Sequence, residues 1–167
     1  ALPDGMSVIG QYGDIFTTAW EMMGFENFSI ASYEEPELIE ALMARIGSLI
    51  YSMFEAMTDM DHVGAIWYSD DIAYTTGLMV SPAFLREHFF PWLKKIGDLA
   101  KKRNMHFIYH TDAVLWDVFD DMIEFIHGHG QKVYPFTIPL YISHVDMTRR
   151  DVPFHAASDA LQALAPR

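Results

Sequence analysis

The sequence predicts an α/β fold: a partial or abridged (β/α) barrel of the TIM type, with parallel strands and long flanking helices. Three observations point there. The apolar run Ile66-Trp67-Tyr68 empties into Ser69, Asp70 and Asp71, ahead of a helix-start signal at Ser81-Pro82. The unit then repeats, with Phe107-Ile108-Tyr109 running into His110-Thr111-Asp112 and a helical pattern from Leu115. Between them lies an amphipathic stretch long enough to return the chain for a right-handed parallel crossover. Strands that end in polar residues before a helix are where α/β folds place their sites.

Taken in order, residues 1–13 read as the end of a loop punctuated by Pro3, Gly5, Gly10 and Gly13. Ile15, Phe16, Ala19, Met22 and Met23 share one side of a short helix over residues 14–23, which Gly24 ends. Residues 25–32 are apolar without a clear period and read as a connection. Pro36 suits a first helical turn. Ile39, Leu42, Met43, Ile46, Leu49, Ile50, Met53, Phe54 and Met57 recur at three and four as a broad core-facing stripe. The methionines in it read as core filler. Gly47 costs that helix about 1 kcal/mol relative to alanine, which a close helix–sheet contact would explain.

Residues 62–67 form the first strand, nearly unbroken in apolar character, as where both faces of a sheet are covered. Ser81 is a natural N-cap and Pro82 a natural first helical residue. The helix they open buries Leu85, Phe89, Trp92, Leu93, Ile96, Leu99 and Ala100, and Pro91 should bend it or divide it in two. A strand at 105–109 follows, then a helix facing Leu115, Val118, Phe119, Met122, Ile123 and Ile126 inward and stopping near Gly128. Val133 and Tyr134 offer one more strand. Pro135 and Pro139 mark an edge or an extended arm, and residues 154–164 a closing helix. That makes three or four strands, where a closed eight-unit barrel takes about 250 residues. The 167 residues therefore read as a single domain, a fragment or shortened barrel, whose open sheet edge a homo-oligomer would cover.

A net charge of −12, from 11 basic and 23 acidic residues, argues against a nucleic-acid partner, since phosphate contacts need clustered cations. Lys94, Lys95, Lys101, Lys102 and Arg103 lie on or just beyond one helix and read as its solvated face, the last three favoured by the helix dipole. Neither an apolar run long enough to span a membrane nor a secretory leader is expected. With no cysteine, disulfides, thiolate nucleophiles and thiolate ligands are all excluded, and a cytoplasmic setting is the compatible expectation. Glycine-rich nucleotide motifs are absent, so no nucleotide cofactor is expected.

The chemistry concentrates at the two strand ends. Asp70 and Asp71 point to opposite faces if they sit on a strand and converge if they sit in a loop. Facing one cleft, they would repel, raise one pKa and share a proton; the plainer alternative is that either caps a turn. Asp70, Asp71 and His110 are the catalytic candidates. His110 and Asp112 are candidate metal ligands, since imidazole with carboxylate suits zinc, iron or manganese. Tyr68, Tyr74 and Tyr109 are candidates to stack on a flat small-molecule substrate and donate one hydrogen bond each, or else pack beneath loops. Ser69 has no histidine at a diagnostic spacing. The late pair in His127-Gly128-His129-Gly130 reads as a helix exit before it reads as a metal site.

Several blocks together resemble a known group: Trp20-Glu21-Met22-Met23-Gly24-Phe25-Glu26-Asn27, Tyr33-Glu34-Glu35-Pro36-Glu37-Leu38, Asp70-Asp71-Ile72-Ala73, Gly77-Leu78-Met79-Val80-Ser81-Pro82, Phe90-Pro91-Trp92 and His110-Thr111-Asp112. Over residues 13–124 the chain resembles the uroporphyrinogen decarboxylase-like superfamily, which also contains methyltransferases that act with corrinoid proteins; residues 127–167 are atypical. The resemblance implies a (β/α)₈-like barrel with its cleft at the carboxyl ends of the strands. It implies decarboxylation of a tetrapyrrole carboxylate without a cofactor, with Asp70 or Asp71 stabilising a cationic ring. The alternative it implies is zinc-dependent methyl transfer with a corrinoid protein as partner. That zinc is held by His-x-Cys and a later Cys in such methyltransferases; here the matching positions are His110 and Asp112. A third reading is a truncated, non-catalytic domain stabilised by oligomerisation.

Overall fold

A computed structural model describes residues 2–128. They divide into two units, one of Ala1–Ile72 with Val80–Thr111, the other of Ala73–Met79 with the residues from Asp112 onward.

In the first unit the glycine-rich start is a strand, not only a loop. β1 (Val8–Gln11) pairs in parallel with β2 (Val63–Ser69), and β2 with β5 (His106–His110), giving the sheet order β1-β2-β5. Four residues between glycines carry little period of their own, so pairing decides the conformation. The Val8 amide donates to the His62 carbonyl at 2.7 Å, and the ladder continues from Ile9↔Ala65 to Gln11↔Trp67. The sheet is open among the described residues, and helices flank it: the architecture of a partial TIM-like barrel.

Helix α1 spans Ile15–Met23, and Gly24, at φ +79°, ends it. The chain turns there directly into α2 (Phe25–Glu34), where a connection was expected. Only Phe28 and Ala31 of α2 are buried, too few to print a period on the sequence. Helix α3 (Pro36–Thr58) buries Ile39, Met43, Ile46, Ile50 and Phe54 as expected, but Leu49 and Met53 lie on its exposed side. Gly47 is explained by a helix neighbour and not by the sheet. A β-carbon there would come within 2.5 Å of the Trp92 indole.

Ser81 caps the first turn after the loop, its Oγ accepting the Phe84 amide at 3.2 Å. That turn, α4 (Pro82–Phe84), passes through a π-helical segment (Leu85–Phe89) into α5 (Phe90–Lys102). Pro91 supplies the reason: it has no N–H for the residue four back, and the Phe90 amide reaches five back to the Leu85 carbonyl. Leu85, Phe89, Leu93, Ile96 and Ala100 are buried. The cations form the expected outer face, Lys94 paired with Asp98 at 2.7 Å, Lys95 over the Trp92 ring, and Arg103 with Asp59.

In β2, Ile66 and Tyr68 are fully buried, while Ala65, Trp67 and Ser69 are only half-buried. One face of this strand is thus sealed and the other partly open, where coverage of both faces was expected.

The second unit holds an antiparallel hairpin, β3 (Ala73–Tyr74) with β4 (Gly77–Leu78), and the Val114 amide donates to the Tyr74 carbonyl at 3.2 Å. A 3₁₀ turn (Trp116–Val118) leads into α6 (Phe119–Gly128). Val118 and Met122 face inward, whereas Phe119 is exposed. The strand expected at Val133 and Tyr134, the arm at Pro135 and Pro139, the closing helix at 154–164 and the His129-Gly130 part of the glycine–histidine pair lie outside the described residues. No helix among the described residues is long and apolar enough to cross a membrane.

Candidate functional site at the carboxyl edge of the sheet

Helix α1 needs a partner for its first amides. Asp14 stands at the N-cap, but its carboxylate accepts the Thr18 hydroxyl at 2.9 Å and leaves those amides alone. Asp70, at the end of β2 and 1% exposed, takes them. Its Oδ2 accepts the amides of Ile15 and Phe16 at 2.8 and 2.7 Å and the Tyr68 hydroxyl at 2.7 Å. Its Oδ1 accepts the Thr17 amide at 3.0 Å and the Thr17 hydroxyl at 2.9 Å. Five donors fill both oxygens. A carboxylate at a helix N-terminus is favoured by the dipole as well, so Asp70 clamps α1 to the sheet across 55 residues of sequence.

Burial nonetheless pushes the Asp70 carboxyl up to about 6, against the hydrogen bonds from Tyr68, Phe16 and Thr17, which favour the charged form. Tyr68 is held well above the usual phenol range, by burial first and then by the adjacent Asp70 charge. The Tyr68 hydroxyl also accepts the Ile15 amide at 3.2 Å. Its ring is sealed between Phe54, Phe89 and Tyr109, so it packs beneath the strand end and offers no rim surface. Tyr109 stacks on Tyr68 at 5.9 Å and 22°, its ring partly open and its hydroxyl buried, donating to the Asp70 carbonyl at 3.1 Å. Burial, and then the Asp70 charge, hold that phenol well above its usual range too.

The two carboxylates do not converge. Asp70 is buried and Asp71 is exposed. The Asp70 amide donates to the His110 carbonyl at 3.0 Å, carrying the β2–β5 pairing one step past the strand. Asp71 and His110 therefore leave adjacent strands at the same edge. Asp71 is also close enough for its charge to raise the Tyr109 phenol.

On the half-open face of the sheet, the His110 ring stacks on Trp67, with centroids 5.7 Å apart and planes at 26°. In the sequence Trp67 reads as one more apolar strand residue. The available signal was alternation, since Trp67 falls between the buried Ile66 and Tyr68 and must face the other way.

Tyr74 and Asp112 belong to the second unit, and both are exposed. Among the described residues, His, Asp and Glu side chains nowhere gather in groups of three that could hold a metal ion. His110 and Asp112 are two donors, and thiolates are absent from the whole sequence. The described residues thus do not fit a four-ligand zinc by themselves.

The sequence pattern of the family described as uroporphyrinogen decarboxylase (URO-D) matches residues 1–133. No curated protein and no solved structure matches the chain.

Proposed function

The chain belongs to the uroporphyrinogen decarboxylase family, and from that premise we propose that it binds a ring-bearing carboxylate of the tetrapyrrole class and supports its decarboxylation. The observation that carries this reading is the pairing of an exposed carboxylate, Asp71, with an imidazole, His110, at the ends of adjacent parallel strands. Asp70 serves in it as a positioning residue, with both oxygens committed to α1.

In this mechanism a proton from His110 enters the ring and makes it cationic. Asp71 stabilises that charge where it develops. The bond to the carboxylate breaks, its electron pair returns to the ring, and carbon dioxide leaves. The carbon that lost it is protonated as the ring gives its extra proton back, so one proton is consumed per carbon dioxide released. No metal takes part.

Methyl transfer through zinc and a corrinoid protein would need donors beyond the described residues. The open sheet edge, for its part, suits association of copies of this chain.

The test is release of labelled carbon dioxide from a porphyrinogen bearing ring acetates. Asp71→Asn is expected to slow release by about 100-fold while leaving the circular dichroism and the unfolding midpoint unchanged. Equal release from Asp71→Asn and from the unaltered chain would overturn the role of Asp71, and no release at any concentration would overturn the reading itself.

A further inference from the structure

Tyr109 is a phenol at a place where a plain phenyl ring would pack. Its ring stacks on Tyr68 at 5.9 Å and 22° and lies 6.3 Å from the Phe89 ring at 49°. Phenylalanine makes both contacts equally well, so the stack does not account for the hydroxyl. Burying that hydroxyl costs free energy unless it meets a partner. The partner is a main-chain oxygen of the neighbouring strand's end: the hydroxyl donates to the Asp70 carbonyl at 3.1 Å, across 39 residues of sequence.

That oxygen belongs to the peptide that joins Asp70 to Asp71. The last pair of the β2–β5 ladder is Ser69↔His110, so the ladder itself stops short of Asp71. What holds the chain beyond it is a set of separate anchors. The Asp70 amide donates to the His110 carbonyl at 3.0 Å, and the Asp70 carboxylate is taken by the first amides of α1. On the far side of Asp71, Ile72 is fully buried. Because a peptide is planar, an anchor on the Asp70 carbonyl oxygen fixes the direction in which the chain enters Asp71. Tyr109 directly precedes His110 on β5, and Asp70 directly precedes Asp71, so this one bond joins the two positions from which the proposed reacting groups depart. Asp71 lies close to the brace: burial first and the Asp70 charge second raise the Tyr109 phenol, and the Asp71 charge adds to them.

We infer that Tyr109 is a positioning residue, whose hydroxyl, bonded to the Asp70 carbonyl, sets the peptide that presents Asp71 at the strand edge. The inference rests on the role given to Asp71 in the proposed decarboxylation and deepens it. Tyr109 acts through Asp71 and does not itself touch the substrate.

The experiment compares the full 167-residue chain with Tyr109→Phe, Asp71→Asn and the double variant. In release of labelled carbon dioxide, Tyr109→Phe is expected to lower kcat by about 10-fold or more at unchanged KM, because the reacting group is displaced and not lost. In the Asp71→Asn background the same change should cost less than about twofold, since the hydroxyl has nothing left to position. NMR relaxation reads the brace without turnover. The Asp71 amide order parameter is expected at about 0.85 in the unaltered chain and below about 0.6 in Tyr109→Phe. An unchanged order parameter in Tyr109→Phe, or kcat losses that multiply in the double variant, would overturn the inference. Should Tyr109→Phe fail to fold, the unaltered chain decides. A Tyr109 hydroxyl proton slow enough in exchange to give a resonance, with a rigid Asp71 amide, supports the brace; a missing resonance or a mobile amide overturns it. No carbon dioxide release from the unaltered chain would overturn the decarboxylation reading, while the order parameters still decide whether Tyr109 holds Asp71, so the two failures are distinguishable.

Discussion

The Tyr68 hydroxyl lies 2.7 Å from Asp70 Oδ2, and through that contact the end of β2 is tied to the first turn of α1. Removing the carboxylate strands two main-chain amides, the Thr17 amide and hydroxyl, and a phenol. Each buried donor left unpaired costs about 1–3 kcal/mol, and neighbouring losses of this kind do not add fully. Asp70→Ala is expected to lower unfolding free energy by about 3–5 kcal/mol, seen as a shift of the urea midpoint at constant slope. Tyr68→Phe, which removes one charge-assisted bond, should cost about 1.5–3 kcal/mol. A midpoint within experimental error for Asp70→Ala would mean that α1 is held by its apolar contacts alone.

The same carboxyl carries a pH signature. Its folded value of about 6 stands above the unfolded value of about 4. Between those limits the folded chain binds this proton and the unfolded chain does not. The stability Asp70 contributes is therefore complete below about pH 4 and is lost as pH rises to 6, by about 3 kcal/mol in all. Other carboxylates titrate in the same range, so the measurement is the difference in urea stability between the unaltered chain and Asp70→Asn at pH 4, 5, 6 and 7. That difference should move against the unaltered chain as pH increases. Movement in its favour would show that five hydrogen bonds outweigh burial.

Which parts of this arrangement the sequence announces depends on whether the signal is local. The stripe of α3, the Ser81-Pro82 start and the strands at Trp67 and Ile108 all appear in the spacing of apolar residues or in a cap, and the structure contains each of them. β1 and α2 do not show, because β1 owes its conformation to a partner 55 residues away and α2 buries only two residues. The site follows the same rule. Asp70 and Asp71 are equivalent in the sequence, and what separates them is the unmet amides of Ile15 and Phe16. Asp14 occupies the N-cap position of α1, yet its oxygen is taken by Thr18. Likewise Tyr68 and Tyr109 read as rim residues until pairing stacks them on one face of the sheet, Tyr68 fully buried and the Tyr109 hydroxyl turned to the Asp70 carbonyl.

Gly47 gives a sharper test of packing than any large-to-small change. Alanine should favour an isolated helix by about 1 kcal/mol over glycine, but its β-carbon would come within 2.5 Å of the Trp92 indole. Overpacking typically costs about 1–3 kcal/mol, so Gly47→Ala is expected to destabilise despite its better propensity. The double change Gly47→Ala with Trp92→Leu should recover part of the loss, as a double-mutant cycle in urea. Stabilisation by Gly47→Ala alone would show that α3 and α5 separate readily enough to admit a methyl group.

The outer edge of β1 supplies the last expectation. β1 pairs only with β2 among the described residues, and Val8 and Ile9 are 42% and 51% exposed. A strand with an unpaired edge and apolar side chains is a template for another chain. If copies associate through this edge, light scattering should give a mass above the 19.2 kDa of one chain, rising with concentration. Ile9→Lys places a charge on the edge and should return the mass toward that of a monomer, with secondary structure retained. Lysine here opposes edge pairing without disturbing the ladder to β2, which is carried by main-chain groups. A monomer at every concentration for the unaltered chain, or an unchanged assembly in Ile9→Lys, would place any contact between copies elsewhere on the surface.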